Sequence, residues 1–442
     1  MNMTNYLKIA ALFILPVAGV ATVAAQEIAR GETVDTRPRP DYDAIGAPVG
    51  RFLLYPEVTM DVAYDDNILA AGKSDEPLPV VGGPVLSDTL VLLEPAIALR
   101  SDWSRNALNA GGRVLGGRFN KYASQDFTDY DLWVDGNLEF GPNLLEANVK
   151  HNHLHELRTS SQDQNQGIFP TEYDRNDLGL GYRYAPGRVF VGAALAFRSF
   201  DYDNAIGLDD NDNPEVINNQ DRDRLGSEVK LRLGYLPSPA YSVFLETRLY
   251  DVDYDTDVDR FGNNRDQNGY DIVLGSEFDM TGVTSGEVFA GYRNIDYDEV
   301  TFETQNGPLF GASVDWNITQ LTTLTFLGSQ RLYGSNVRGL SDVDGTTPQG
   351  SSGIQARALG IQLDHELRRN FILSLELEAI DEDYLQITRE DEVANARLGI
   401  NYFLTRNWGL NAGYRYQKRD SNDPRAREFR VNQFYLGIHG QI

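Results

Sequence analysis

Residues 178–198 read Leu178-Gly179-Leu180-Gly181-Tyr182-Arg183-Tyr184-Ala185-Pro186-Gly187-Arg188-Val189-Phe190-Val191-Gly192-Ala193-Ala194-Leu195-Ala196-Phe197-Arg198. On either side of Ala185-Pro186-Gly187, apolar side chains fall at every second position: Leu178, Leu180, Tyr182 and Tyr184 before it, then Val189, Val191, Ala193, Leu195 and Phe197. Successive side chains of a strand point to opposite faces, so the pattern predicts two strands, each with one continuous apolar face, joined by a tight turn. The signature recurs outward in both directions. Towards the N-terminus it runs through Leu132–Phe140, Val91–Leu99 and Leu54–Tyr64; towards the C-terminus through Val229–Tyr235, Val243–Leu249, Ile272–Phe278, Ala394–Tyr402, Trp408–Tyr416 and Phe434–Ile442.

About eighteen such segments can be counted, with sixteen as the alternative, and their connections alternate in length. Short ones lie at 101–105, 141–143, 185–187, 236–240, 280–284, 317–321, 368–370 and 404–407. Longer ones lie at 68–87, 157–173, 203–221, 255–267 and 334–353, with moderate ones at 120–126 and 385–390. Strands of about ten residues joined alternately by short turns and long loops predict an all-β chain folded as a transmembrane, antiparallel, up-and-down β-barrel. A sandwich or propeller would use strands nearer five or six residues. An even strand number puts both termini on one side of the membrane, expected to be the periplasm. Aromatics gather near the segment ends. Phe140, Tyr182, Tyr184, Tyr235, Tyr241, Phe278, Trp316, Phe403 and Trp408 stand by the short turns, and Tyr64, Phe119, Tyr130, Tyr202, Tyr254, Tyr297 and Tyr384 by the long loops. Two interfacial girdles would account for them.

Composition narrows the function. With 39 Lys+Arg against 65 Asp+Glu the formal net charge is -26, which argues against a nucleic-acid partner. The absence of cysteine removes disulfides, Fe–S clusters, thiolate zinc sites and cysteine nucleophiles. No G-x-S-x-G elbow occurs, and His365 and His439 stand alone in strand patterns, so neither an enzyme nor a cofactor is expected. Residues 1–25 carry Lys8, an apolar run and Val23-Ala24-Ala25 before Gln26, the pattern of a cleaved secretory signal. No later apolar run is long enough for a membrane helix. Residues 26–50, with Arg37-Pro38-Arg39-Pro40, form a polar periplasmic lead segment, and 51–442 the barrel.

Strand parity separates the charges from the apolar face. Arg100, Arg113, Arg183, Arg198, Arg232, Arg248, Arg293, Arg331, Arg397 and Arg415, with Glu94, Asp135, Glu246 and Glu376, are expected to line the lumen. Such charges either face water in a conduit or pair across neighbouring strands. Tyr55, Trp133, Phe289 and Tyr435 have the same parity and would suit stacking on sugars. His151, His153 and His155 alternate on one strand and could hold a transition metal, although rim residues often look the same. The acidic stretches 209–213 and 251–259 lack the EF-hand pattern and read as solvated loop faces, with divalent bridges to lipopolysaccharide phosphates as the alternative.

Three stretches carry a resemblance: Arg39-Pro40-Asp41-Tyr42-Asp43-Ala44-Ile45-Gly46 with Gly50-Arg51-Phe52-Leu53-Leu54-Tyr55-Pro56, then Tyr64-Asp65-Asp66-Asn67-Ile68, then Ser101-Asp102-Trp103-Ser104-Arg105. Together they resemble the outer-membrane barrel family called putative β-barrel porin 2, some of whose members are associated with exopolysaccharide or capsule secretion in Gram-negative bacteria. The resemblance implies an integral outer-membrane protein in contact with lipid and lipopolysaccharide. It also implies a porin-like channel whose favoured role is polysaccharide or oligosaccharide export with periplasmic export machinery as partner. A non-conducting docking barrel and a nutrient porin are the alternatives.

Overall fold

In the hydrocarbon core no water can satisfy a backbone N–H or C=O, so a spanning sheet must have no edge. The computed structural model, which describes residues 32–72, 84–161, 167–208, 213–280, 282–335, 337–340, 345, 348–424 and 426–442, meets that demand with a closed antiparallel barrel. Its eighteen long strands are β1 (Phe52–Asp65), β2 (Asp88–Ser101), β3 (Ala107–Phe119), β4 (Phe127–Phe140), β5 (Asn143–His155), β6 (Glu172–Tyr184), β7 (Val189–Tyr202), β8 (Arg224–Ser238) and β9 (Tyr241–Tyr254), followed by β10 (Gln267–Met280), β11 (Thr284–Tyr297), β12 (Gln305–Thr319), β13 (Thr322–Tyr333), β14 (Ile354–Arg368), β15 (Phe371–Tyr384), β16 (Glu390–Phe403), β17 (Trp408–Ser421) and β18 (Phe429–Gln441). Each strand pairs with its sequence neighbours, and β1 closes the ring on β18 from Glu57↔Gln441 to Asp65↔Gln433. The expected signal segment 1–25 lies outside the described residues.

The strands exceed the ~9–11 residues a tilted strand needs to cross a bilayer, so both ends project beyond it. At one end the turns are tight, as at Gly141, whose φ of 61° is left-handed backbone that glycine tolerates. At the other end the connections are longer, including 203–223 and 334–353, and each of these two carries its own short hairpin. The barrel chain begins and ends at the tight-turn end.

Outside, the alternate apolar residues make the lipid face. Inside, the rows read across the strands explain the chain's glycines. Phe190, Gly234, Phe244, Gly275, Phe289 and Gly311 are successive register partners on β7 to β12. Each ring lies over a neighbouring glycine: a Cβ at Gly234 would sit 2.0 Å from Phe190, and one at Gly275 2.2 Å from Phe244. The next row, Gly192, Arg232, Glu246, Val273, Gly291 and Leu309, adds Val273 and Leu309 to the same buried cluster. This half of the lumen is therefore packed.

The girdle by the tight turns faces lipid at Phe140, Tyr182, Tyr184, Tyr235, Tyr241, Trp316 and Trp408, all exposed, while Phe403 turns inward against Tyr42. At the long-loop end Tyr64 is exposed on the lipid face. Tyr130 keeps the lipid-facing parity of Leu132 and Val134, whereas Phe119 lines the lumen. The structure also corrects four others: Tyr202 and Tyr384 are buried, and Tyr254 and Tyr297 share the inner face of their strands. Position along a strand sets depth, whereas parity sets the side. These rings stack with arginines, Arg222 lying 3.9 Å from the Tyr202 centroid and Arg389 4.3 Å from that of Tyr384, and form a collar inside the mouth.

Two exposed leucines test which face is which. Leu274 (63% exposed) faces lipid, whereas Leu327 (43% exposed) is the register partner of Gly360 on the lumen side. Leu274→Arg should cost about 2–4 kcal/mol of folding stability in vesicles, and Leu327→Arg less than about 1 kcal/mol, by equilibrium denaturant unfolding.

Candidate functional site

The lumen arginines mostly serve ladders between strands. Arg232 bonds Glu246 at 2.6 Å and Glu277 at 2.8 Å, and Arg248 reaches the other Glu246 oxygen at 2.6 Å. Arg293 pairs with Asp271 at 2.7 Å, and Arg198 with Asp177. Arg183 and Arg100 stack on rings instead, 4.6 Å from the Phe190 centroid and 4.7 Å from that of Tyr55. Asp135 accepts from Asn109 at 2.8 Å, and Arg331 is half-buried on β13. A buried charge is tolerated only when paired, and these rows supply the pairs.

Four of the expected residues do something further. Glu94, Arg113, Arg397 and Arg415 line a cavity of ≈ 360 Å³ on the other side of the lumen, walled by β1 to β5 and β15 to β18. Arg113 bonds Asp131, Glu94 lies 3.8 Å from it, and Arg397 bonds Glu376 at 3.1 Å. The inner face of β16 and β17 forms a ladder of like pairs in register: Asn395 with Gln417, Arg397 with Arg415, Gly399 with Gly413, and Asn401 with Asn411. Asn395 bonds Glu378 at 2.9 Å and Asn411 bonds Asp61 at 2.6 Å, so carboxylates on β15 and β1 orient these two amides. Tyr435 lies over Gly413 and lines the same cavity. The amides were missed in the sequence because only charges were counted there; the same parity marks them.

The long-loop end narrows the cavity. Glu156, just past β5, makes a two-point ion pair with Arg222, and Arg158 bonds Gln125 at 3.0 Å. Ser161 comes 3.4 Å from Tyr333 on β13, which donates to Glu382 at 2.6 Å. This segment starts on β5 and touches a strand far around the ring. His155 follows it inward, bonding Asp129 at 2.8 Å and stacking on Phe127 at 3.9 Å. His151 bonds Asn176 and His153 bonds Asp174, each at 2.7 Å. The three imidazoles therefore do not share a face, and no metal-binding group of three is present among the described residues. Of the acidic stretches, 209–212 lies outside the described residues; Asp259 is committed to Arg265 at 2.5 Å. Burial pushes the Asp223 carboxyl up to about 6 although it accepts the Tyr202 N–H.

At the tight-turn end the lead segment is seated inside the mouth. Val34 is fully buried and its N–H donates to Thr323 at 2.9 Å. Arg39 (4% exposed) lies 3.5 Å from Glu366 (1% exposed), and Gln441 donates to the Tyr42 carbonyl at 2.8 Å. Burial lowers the Arg39 guanidinium below its ordinary value, against the pull of Glu366, Asp43 and Asp35. Residues 47–49 then pair with 52–54 and lead into β1.

A closed barrel with a lipid-facing apolar wall and a charged, partly open interior defines an integral outer-membrane protein of porin or transporter type. The chain matches the family described as "Putative beta-barrel porin 2" over residues 39–442, and it belongs to that family. No curated protein matches it. Among solved structures it is similar to the copper transporter OprC, at 10% identity and TM-score 0.47 over 90% of this chain and 81% of that one. It is also similar to OccAB4 of Acinetobacter baumannii, at 11% and 0.44 over 92% and 100%, and to the siderophore receptor PirA of the same organism, at 7% and 0.43 over 88% and 80%.

Two measurements follow. Removing residues 32–45 should at least double single-channel conductance in a planar bilayer, because the lead segment occupies the tight-turn mouth. Asp223 has a folded value above its unfolded 3.8. The stability it lends is therefore complete below about pH 4 and lost as pH rises through about 6. Asp223→Asn, which keeps the acceptor for Tyr202, should raise the thermal midpoint at pH 7.5 and leave it unchanged at pH 4.

Proposed function

We propose that this protein is a conduit for hydroxyl-rich oligo- or polysaccharide, with export as the favoured direction. The observation that carries this reading is the β16–β17 ladder, two strands wide, of amide, guanidinium, glycine and amide pairs facing a cavity of ≈ 360 Å³. A sugar chain offers alternating donors and acceptors. Amides supply both, and the carboxylates that orient Asn395 and Asn411 mean that these two need little rearrangement to engage it. An apolar pore lining would lack these partners, and a lining of carboxylates alone would lack donors.

In this reading the tight-turn end and its lead segment face the periplasm, where export machinery would engage residues 26–50, and lipid and lipopolysaccharide surround the wall. A non-conducting docking barrel is the second reading, favoured by the lead segment in the mouth.

The test is ion current through the purified, refolded barrel with neutral glucose oligomers added from either side. Current that these sugars interrupt is the expected result. Gln417→Leu, which removes one neutral hydrogen-bonding group, should weaken the block about fivefold. A folded barrel without current, both intact and lacking residues 32–45, would shift the assignment to docking; current indifferent to sugars would point to a general nutrient porin.

A further inference from the structure

We infer that Arg397 and Arg415 form a binding site for the acidic substituent of a saccharide chain. The inference rests on the conduit reading and names its substrate class. The row through these residues reads Glu376, Arg397, Arg415, Gln433 and Asp65 on β15, β16, β17, β18 and β1. Glu376 is committed to Arg397 at 3.1 Å, and Gln433 donates to Asp65 at 3.4 Å. Arg415 stands between them beside another arginine. Its Nε has no hydrogen-bond partner, and the attraction of Tyr435, Asp65 and Glu376 opposes the repulsion of Arg397.

Like charges directly opposite on neighbouring strands destabilise a sheet, and a guanidinium taken partly out of water needs an acceptor. Elsewhere in this lumen arginines meet that need with a carboxylate or a ring, as Arg232, Arg293 and Arg183 do. Arg415 lines a cavity of ≈ 360 Å³, where its planar donors could meet a ligand's acceptors. One anionic group lying between the two arginines would satisfy Arg415 and relieve the repulsion.

The surroundings favour an anion carried on a sugar. Immediately along the strands Gly399 and Gly413 leave no side chain of their own, and Tyr435 lies over Gly413. An aromatic body with a polar tip beside a guanidinium pair suits a pyranose ring bearing a carboxylate. The paired amides Asn401 and Asn411 continue the track for its hydroxyls. Carboxylate and phosphate or sulfate esters share the chemistry that the arginines read, so the probes must separate them.

The experiment compares block of the wild-type channel by a galacturonic-acid tetramer, a neutral glucose tetramer and inorganic phosphate, at about 0.1 M salt so that screening leaves the charge term visible. The acidic tetramer should act at a concentration about tenfold or more below that of the neutral one. Arg415→Gln should abolish this preference, and Arg415→Lys should retain part of it. Equal block by both sugars in the wild type, or a preference that survives Arg415→Gln, would overturn the site. Phosphate as effective as the acidic tetramer would overturn the saccharide assignment.

A second readout is independent of conduction. Arg415→Gln removes a like-charge neighbour, so the thermal midpoint of the free barrel should stay level or rise, and the acidic tetramer should raise the midpoint of the wild type alone. A fall in the free midpoint would assign Arg415 to packing and overturn the proposal. If the neutral sugar fails to block wild type while the acidic one still shifts its midpoint, the conduit reading fails and the site stands.

Discussion

Closure of the sheet is the constraint on which the rest of this structure depends. Without the pairing of Phe52–Asp65 with Phe429–Gln441, two strand edges would carry unpaired backbone groups into hydrocarbon. With it, each strand acquires one face for lipid and one for the lumen, and every inward residue has neighbours chosen by register. The interior is thus organised as rows running around the barrel, and a side chain's fate is set by the strands on either side of its own.

The rows divide the lumen into unlike halves. From β7 to β12 phenylalanines alternate with glycines, so each ring fills the space a missing Cβ leaves, and the adjoining row ties Arg232 to Glu246. That half is a packed wall. From β15 through β18 to β5 the rows carry amides, a guanidinium pair and carboxylates around an open cavity. Small residues occur in both halves; in one they receive phenylalanine rings, and in the other Gly413 receives the Tyr435 ring beside the arginines. Solute contact is therefore expected along one side of the barrel.

Both ends are narrowed from inside, by different means. At the long-loop end an arginine–aromatic collar and the segment from Glu156 to Ser161 lean across the mouth, anchored by Arg222 and Tyr333. At the tight-turn end the chain uses its own lead segment, held by a buried Arg39–Glu366 pair and a bond from Val34 to Thr323. The second seal depends mainly on polar contacts. Such contacts can be exchanged for water or for a partner's groups at modest net cost, unlike the apolar packing of the wall.

Much of the architecture was legible in the sequence, because a strand's period of two is a local property that lipid on one side and water on the other enforce. The alternation around Ala185-Pro186-Gly187 and the alternating loop lengths gave barrel and strand number. Local pattern failed where a residue's surroundings depend on distant strands. Tyr202 and Tyr384 looked like girdle residues by position but are buried in the collar, and His155 leaves the face of His151 because the chain turns inward after β5. The sequence alone determined the barrel class and the alternation of an apolar and a polar face along its strands. Only the tertiary structure decided which charges find partners and that Arg415 stands beside Arg397, because register joins strands that the sequence lists one after another without saying which residues meet.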